Sequence, residues 1–243
     1  MKTLIRWGVT LGLVTGAILY SAFNQPRPVF SLPQEEIFKL LRGIPVFMLV
    51  DDKNIPLGGK VDEKTIFTNV FMSKQNAHEF LLQLGKDKPN IANQYKVELI
   101  SLGAIYEVSK KNSNESQRLA LQYIPTKTEV ESAKLILTED GKEYRGGVPL
   151  YILKGGPEQN YLTIKQDGET IVPIFFEKKT IQQVINNLKE QAPDQVSDIK
   201  IEIILLGNLI GTLEKEDNEF FRKIRLWPSE EMMRIIQENR QNQ

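Results

Sequence analysis

Cysteine is absent from this chain of 243 residues, and histidine occurs once, as His78. The lack of cysteine excludes disulfides, thiolate metal sites and cysteine nucleophiles. With a single histidine, a metal centre or an acid–base mechanism would lack the ligands and bases that such sites commonly use. The sequence therefore predicts no metal and no cofactor, and it leaves only carboxylate or lysine chemistry open.

An excess of charge of either sign is also lacking. Lysine and arginine together number 31, and aspartate and glutamate together number 31. Nucleic acid is not an expected partner, because general polyanion binding needs a basic excess. The hydrophobic fraction of 41% and the charged fraction of 26% are typical of a folded chain that buries a core.

The N-terminus has the layout of a secretory signal. Lys2 and Arg6 precede an uncharged stretch at residues 7–23, which ends at a polar break. As a helix this stretch would rise about 26 Å, slightly less than the roughly 30 Å of a bilayer's hydrocarbon core. Residues 1–31 are therefore predicted to be a signal peptide, with a retained N-terminal anchor as the alternative. Membrane contact is expected only through this segment, and only if it is not cleaved.

The remainder of the chain contains an internal repeat. The segment Gly-Ile-Pro-Val-Phe at residues 43–47 recurs as Gly-Val-Pro-Leu-Tyr at residues 147–151, 104 positions later (147 − 43 = 104). The same offset relates residues 97–103 to residues 201–207. A sustained offset of this kind is typical of a duplicated unit. It predicts that any binding site exists twice.

The duplication divides the chain into a first repeat at residues 32–140 and a second at residues 141–243. Each repeat is predicted to run strand, strand, helix, strand, strand, helix, which is an α+β unit with a mainly antiparallel sheet and helices packed on one side. The two repeats are expected to be related by a pseudo-twofold axis. The connection after the third strand of each repeat is left open between a helical turn and another strand.

Local signals place the ends of these elements. Uninterrupted apolar runs, such as residues 46–50, predict strands covered on both faces. Pro173 lacks an amide hydrogen, which favours an edge strand or a bulge. The predicted N-caps include Ser73, Thr126, Thr180 and Ser229. Thr126 and Thr180 also have the spacing of a capping box.

Catalytic signatures are missing, including the serine-hydrolase elbow, the zinc-protease motif, nucleotide-binding loops and the EF-hand. The protein is therefore predicted not to be an enzyme, and a hydrolase that uses carboxylates alone stays the alternative. What remains is aromatic surface, which would suit an extended polypeptide bound in paired grooves. The predicted polypeptide-binding residues are Phe47, Phe71, Phe80, Tyr106, Tyr151, Phe175, Phe176 and Trp227.

The motifs at residues 43–47, 97–106, 147–151 and 171–176, together with the helix entry at Ser73, carry a family resemblance. The chain resembles the 22-kDa component family of the translocon at the inner envelope membrane of chloroplasts (Tic), in its cyanobacterial form. The resemblance implies a periplasmic protein with two pseudo-symmetric halves and hydrophobic pockets. A plastid intermembrane space or a lumenal compartment is the alternative location.

The family implies a chaperone-like role in protein transport across the envelope and in outer-membrane protein biogenesis. The expected partners are unfolded or exported polypeptides, with outer-membrane β-barrel precursors and their assembly machinery as candidates. The alternative is a structural adaptor, or tethered interaction module, that docks a folded envelope partner.

Overall fold

The computed structural model describes residues 12–13, 31–111, 118–156, 158–191 and 198–241. The predicted secretory segment lies outside the described residues, apart from residues 12–13 and Ser31. Over the described part of the chain, every helix is too short or too polar to span a lipid bilayer. In chain order the elements are β1 (Gly12–Leu13), α1 (Gln34–Arg42), β2 (Pro45–Val50), β3 (Gly58–Lys60), β4 (Thr65–Phe71), α2 (Lys74–Asp87), α3 (Pro89–Ala92), β5 (Lys96–Ser101), α4 (Leu102–Lys111), β6 (Arg118–Ile124), α5 (Lys127–Glu139), β7 (Pro149–Gly155), β8 (Asn160–Gln166), β9 (Glu169–Phe175), α6 (Lys178–Gln191), β10 (Lys200–Leu205), α7 (Leu206–Leu213), α8 (Glu219–Lys223), β11 (Ile224–Trp227) and α9 (Glu230–Gln241).

Two sheets are built from the same set of strand pairings. In the first, β2 pairs antiparallel with β5 and β4, and β6 runs parallel to β4. In the second, β7 pairs antiparallel with β10 and β9, and β11 runs parallel to β9. Phe47 is paired with Phe71 in one sheet, and Tyr151 with Phe175 in the other. The predicted α+β class with mainly antiparallel sheets is confirmed, while the pseudo-twofold relation stays a prediction.

The strands predicted to be covered on both faces lie at the centres of the sheets. All of β2 is buried, and so is most of β7. Pro173 does not mark an edge, because β9 lies between β7 and β11. The proline falls where β9 has finished pairing with β8, at Ile171, and has not yet begun pairing with β7, at Ile174. Its missing amide hydrogen therefore costs that side of the ladder no hydrogen bond.

Helices cover the outer face of each sheet, and one helix in each pair comes from the other predicted repeat. Helix α2 packs on the first sheet beside α9, whose Ile235 joins a cluster of Phe47, Leu49 and Phe71. Helix α6 packs on the second sheet beside α5, which contributes Ile136. The last helix of each repeat thus packs on the sheet of the other. The limits at residues 32–140 and 141–243 stay a sequence prediction.

The inner faces of the two sheets share one large apolar core. It includes side chains from β2 and β7, together with helices α1, α4 and α7. Helix α4 follows strand β5, and helix α7 follows strand β10. The two connections that the sequence left open are thus helical. Burying each large apolar side chain contributes about 1.5–3 kcal/mol, so this shared core is the main attraction between the halves. Lys110 and Glu214, at equivalent positions of the repeat, add an ion pair of 2.6 Å.

Candidate functional site

A central cleft of about 460 Å³ lies where four helices begin. Helices α2 and α6 start directly after the internal strands β4 and β9, and α5 and α9 start directly after the parallel strands β6 and β11. Because β6 is parallel to β4 and β11 is parallel to β9, all four helices leave their sheets at carboxyl ends of strands. This topology brings the helix N-termini together. The walls include Met72, Val148, Pro149 and Phe176 between the polar residues of the helix starts.

Glutamate side chains satisfy several of the backbone amides at these helix starts. The Glu231 carboxylate, on α9, accepts from the Lys74 amide at 3.0 Å, and the Glu129 carboxylate, on α5, accepts from the Lys178 amide at 3.0 Å. The Glu177 carboxylate accepts from the Glu230 amide at 3.1 Å. A carboxylate at a helix N-terminus is favoured both by its hydrogen bond and by the helix dipole. The first two contacts connect one predicted repeat to the other.

The predicted caps are partly replaced by these glutamates. Ser229 accepts from the Met232 amide and Thr126 from the Glu129 amide, as predicted. Ser73 precedes α2 but makes no side-chain cap hydrogen bond. Thr180 is not a cap, because α6 begins two residues earlier, and its hydroxyl instead donates to Glu177 at 3.0 Å.

Burial raises the pKa of Glu129 above its ordinary value, and the neighbouring Glu177 raises it further, while hydrogen bonds from Tyr151 and the Lys178 amide oppose the shift. Burial also raises the pKa of Tyr151 well above its ordinary value. The cleft thus concentrates carboxylates at helix starts that need acceptors. Among the described residues, no group of three or more histidine, aspartate or glutamate side chains is arranged to hold a metal ion. The chemistry of this cleft is that of a hydrogen-bonded junction between helices.

A second candidate lies at the outer side of β11, where two shallow cavities of about 350 Å³ each adjoin one another. Both are lined by Trp227, Pro228 and Met233, which we call the Trp227 surface. One cavity extends along α6 to Thr180, and the other extends along the β8–β9 hairpin to Ile171. The shared residues therefore form an apolar ridge between two concavities.

Ion pairs border the Trp227 surface. Arg225 pairs with Glu169 at 3.1 Å on the hairpin side, and Lys179 pairs with Glu230 at 2.8 Å on the α6 side. These charges are largely exposed, so each pair contributes at most about 1 kcal/mol to stability. An apolar centre with a charged border is the usual anatomy of a protein-binding patch.

Packing divides the predicted polypeptide-binding residues into interior and surface positions. Phe47, Phe71, Tyr151 and Phe175 are buried in the two outer clusters beneath the helices. Tyr106 and Phe176 belong to the central core, although Phe176 also lines the cleft. Phe80 is 37% exposed and lies over Phe71, with 5.4 Å between ring centroids. Trp227 is half-buried against Phe175, with 5.8 Å between centroids. Six of the eight side chains thus fill the core, and the structure brings only Trp227 into both outer cavities.

Met233 and Pro228 complete the Trp227 surface but were not singled out from the sequence. Met233 lies on the last helix, α9, and Pro228 directly follows the last strand, β11. Their closeness to Trp227 in the sequence is the signal that could have identified them as part of this surface. His78 lies exposed on α2.

Both the sequence and the fold have counterparts among known proteins. The sequence model of the Tic22-like family matches residues 16–238, nearly the whole chain. The chain belongs to the Tic22-like family. This confirms the resemblance stated from its motifs.

Two solved structures of Tic22 proteins share the fold of this family member. Tic22 from Anabaena, described as a protein-transport protein, is 23% identical with a TM-score of 0.74, and the match covers 85% of this chain and 97% of that one. Tic22 from Plasmodium falciparum is 22% identical with a TM-score of 0.65, and the match covers 85% and 98% of the two chains. Curated proteins give no significant match.

Proposed function

We propose that this protein is a periplasmic, chaperone-like polypeptide-binding protein that assists protein transport across the envelope and outer-membrane protein biogenesis. Its family membership and the transport role described for Anabaena Tic22 support a place in protein transport. The observation that carries the binding role is the Trp227 surface, where an apolar ridge separates two concavities.

The chemistry of this surface suits many sequences rather than one. A tryptophan offers a large rigid apolar face, and a methionine adapts its shape to different neighbours. An extended polypeptide crossing the ridge would place side chains on both sides of it, one in each concavity. Because the concavities are shallow and the border is polar, binding there is expected to be reversible.

Phe80, on helix α2, offers a second contact area on the outer side of the first sheet. It is the exposed member of a pair whose buried partner is Phe71. In the proposed function a client engages both areas, and avidity raises the affinity of a chain long enough to reach both. The partners are then unfolded or exported polypeptides, including outer-membrane β-barrel precursors, and the binding is non-catalytic.

The test is a holding assay with an unfolded β-barrel precursor diluted from urea. The protein is expected to keep the precursor soluble at near-stoichiometric ratio. Met233→Gln should weaken this several-fold, because it places an amide on the ridge without disturbing the buried Trp227–Phe175 contact. Leu135→Gln, on helix α5, is the matched control, since its side chain is 63% exposed and lines neither outer cavity.

Failure to retain any unfolded client would refute the proposal. Equal loss of holding in the two variants would refute the role of the Trp227 surface specifically. Crosslinking in cells provides the second readout: a spread of exported clients supports the chaperone, whereas one dominant folded partner would favour an adaptor.

A further inference from the structure

Strands β5 and β10 each leave one edge of a sheet open. Within the part of the chain that the structure describes, β5 pairs with β2 alone and β10 pairs with β7 alone. The two strands start 104 positions apart (200 − 96 = 104) and have the related sequences Lys-Val-Glu-Leu-Ile-Ser and Lys-Ile-Glu-Ile-Ile-Leu. Both sheets thus have the same kind of open edge, at equivalent positions of the predicted repeat.

The register of β5 shows which backbone groups face its open edge. The Leu102 amide, directly after the strand, donates to the Ile44 carbonyl. Hydrogen-bonded and non-hydrogen-bonded pairs alternate along an antiparallel ladder, so every second residue before Leu102 bonds to β2. The amides and carbonyls of Val97 and Leu99 therefore point away from β2.

Strand β10 has the same arrangement. The Leu206 amide donates to the Val148 carbonyl, which turns the backbone groups of Ile201 and Ile203 away from β7. Over the described residues, no hydrogen bond reaches the outward amides and carbonyls at these positions of β5 and β10. An extended strand is the partner that satisfies such a row of alternate donors and acceptors.

The opposite edges of the two sheets are partly closed by side chains. On β6 the Leu119 carbonyl accepts from the Ser109 hydroxyl at 2.9 Å. On β11 the Ile224 carbonyl accepts from the Arg225 guanidinium at 2.9 Å. Strands β5 and β10 are therefore the more available edges for backbone pairing.

The apolar layer beneath the outer helices ends half-open at β5 and β10. Phe47 and Leu49, on β2, are each 2% exposed. Val97 and Leu99, on the neighbouring β5, pack in the same cluster but are only partly buried. In the second sheet β7 is buried along its apolar run, while β10 is half-buried. An added strand would continue each layer by one row.

The two faces of these edges differ in polarity. Val97 and Leu99 lie on the outer face, under helix α2, which packs on β5. Lys96 and Glu98 alternate with them on the inner face and form an ion pair of 3.4 Å. In β10, Glu202 holds the position equivalent to Glu98. A strand added here would meet apolar side chains on one face and charges on the other, so the edge favours alternate apolar and polar residues.

A second copy of this chain fits the edge poorly. Outward residues pair with outward residues across an antiparallel edge, so the register centred on Leu99 sets Glu98 against Ile100 of the other copy. The next register sets Glu98 against Glu98, and like charges directly opposite are destabilising. A foreign segment avoids both conflicts when it places a basic or neutral polar residue opposite Glu98 and an acidic or neutral polar residue opposite Lys96.

We propose that the open edges of β5 and β10 are strand-acceptor sites for client segments that alternate apolar and polar residues. The inference rests on the proposed function, because it names the kind of segment that the binding protein takes. Backbone hydrogen bonds supply affinity without sequence specificity, and the alternate side chains supply the preference. Transmembrane β-barrel strands have this alternation, so an unfolded barrel precursor presents many such segments.

Thiol capture tests the edges in the full chain, which contains no cysteine of its own. Glu98→Cys and Lys200→Cys each place one thiol on an edge strand. The probe is a ten-residue peptide of alternating apolar and polar residues that carries an activated disulfide on one polar residue. Both variants should capture it at least tenfold faster than a peptide of the same composition whose apolar residues form one block. Gln83→Cys, exposed on α2, is the control and should show no preference.

Methylation of the peptide backbone tests the strand pairing. An added strand points alternate amides towards the edge and the others towards solvent. Methylating one alternate set should abolish the rapid capture, and methylating the other set should leave it within twofold. Equal effects of the two sets, equal capture of the two peptides, or an equal preference in Gln83→Cys would overturn the acceptor edge. Disulfide-linked Glu98→Cys dimers that form faster than peptide capture would assign the edge to a second copy and overturn the client.

These outcomes are separable from those of the holding assay. If the precursor is held soluble but neither edge thiol captures the alternating peptide faster than Gln83→Cys does, the acceptor edge is refuted and the chaperone role stands. If the alternating peptide is captured with the expected preference but no client is held, the edge is supported and the chaperone role is refuted. Preferential capture of the block peptide would overturn the selectivity proposed for β5 and β10.

Discussion

The helix crossing at Gly103 gives a stability prediction with a matched control inside the same chain. A Cβ added to Gly103, on α4, would lie 2.9 Å from the Arg42 Cα, 2.9 Å from the Arg42 nitrogen and 2.9 Å from the Phe38 oxygen, all in α1. These atoms are backbone, so no side-chain rotation relieves the contact. Gly207 stands at the equivalent position of the repeat, on α7, and a Cβ there meets nothing within 4 Å.

The two Gly→Ala substitutions should therefore have opposite signs. Overpacking costs about 1–3 kcal/mol, and a rigid backbone contact belongs at the upper end. Alanine in a helix recovers up to about 1 kcal/mol relative to glycine, which leaves Gly103→Ala destabilised by about 2 kcal/mol. Gly207→Ala carries only the propensity gain and should be stabilised by up to about 1 kcal/mol.

Urea unfolding followed by far-ultraviolet circular dichroism measures both variants against the parent chain. The predicted gap between them is about 3 kcal/mol, which corresponds to more than a hundredfold in the unfolding equilibrium. Equal stabilities, or a stabilised Gly103→Ala, would refute the close α1–α4 crossing.

Two further predictions concern the glutamates of the central cleft. Because burial raises the pKa of Glu129, the folded state holds this proton more tightly than the unfolded chain does, so the free energy of unfolding should fall as pH rises from about 4.5 through the raised pKa. Glu129→Gln should flatten this dependence in unfolding curves taken from pH 4 to 8. An unchanged slope would contradict the prediction. Glu231→Ala removes the acceptor of the Lys74 amide and should lower the free energy of unfolding by about 0.5–2 kcal/mol in thermal or urea unfolding. The control Glu230→Ala removes only an exposed ion pair with Lys179 and should cost less than about 1 kcal/mol. A larger loss in the control would contradict the cap assigned to Glu231.

The central strands could be predicted from the sequence because their apolar runs are continuous. A run such as residues 46–50 has no polar position to turn towards solvent, and β2 is accordingly buried on both faces. The same holds for α2, where the spacing of Ala77, Leu81 and Leu84 is that of one helix face. These side chains pack on the first sheet. Such patterns are local, so they survive without knowledge of the tertiary partner.

The exchange of helices between the repeats could not be predicted in this way. The apolar stripe of α5 shows that one face is buried, but it does not show which sheet buries it. The same limit applies to the central cleft, where the Glu231 carboxylate and the Lys74 amide that it accepts from are 157 residues apart in sequence. The sequence predicted that Ser73 and Thr180 cap α2 and α6. In the structure the distant Glu231 and Glu129 carboxylates accept from the first amides of these helices instead.

Aromatic residues marked the candidate binding surface only in part. Phe175 and Trp227 are both aromatic strand residues, yet β9 is internal and β11 lies at the edge of the sheet. Strand order therefore decides which ring is buried and which one lines a cavity. Pro173 illustrates the same dependence, because its tolerance within β9 comes from where the neighbouring strands stop pairing.

Tryptophan fluorescence tests the central claim most directly. The chain contains two tryptophans, at positions 7 and 227, so residues 32–243 report from Trp227 alone. Titration with an unfolded, tryptophan-free β-barrel precursor should shift the emission to shorter wavelength and saturate near one client per protein, because bound polypeptide removes water from the Trp227 surface. A client held soluble with no change in Trp227 emission would contradict the account.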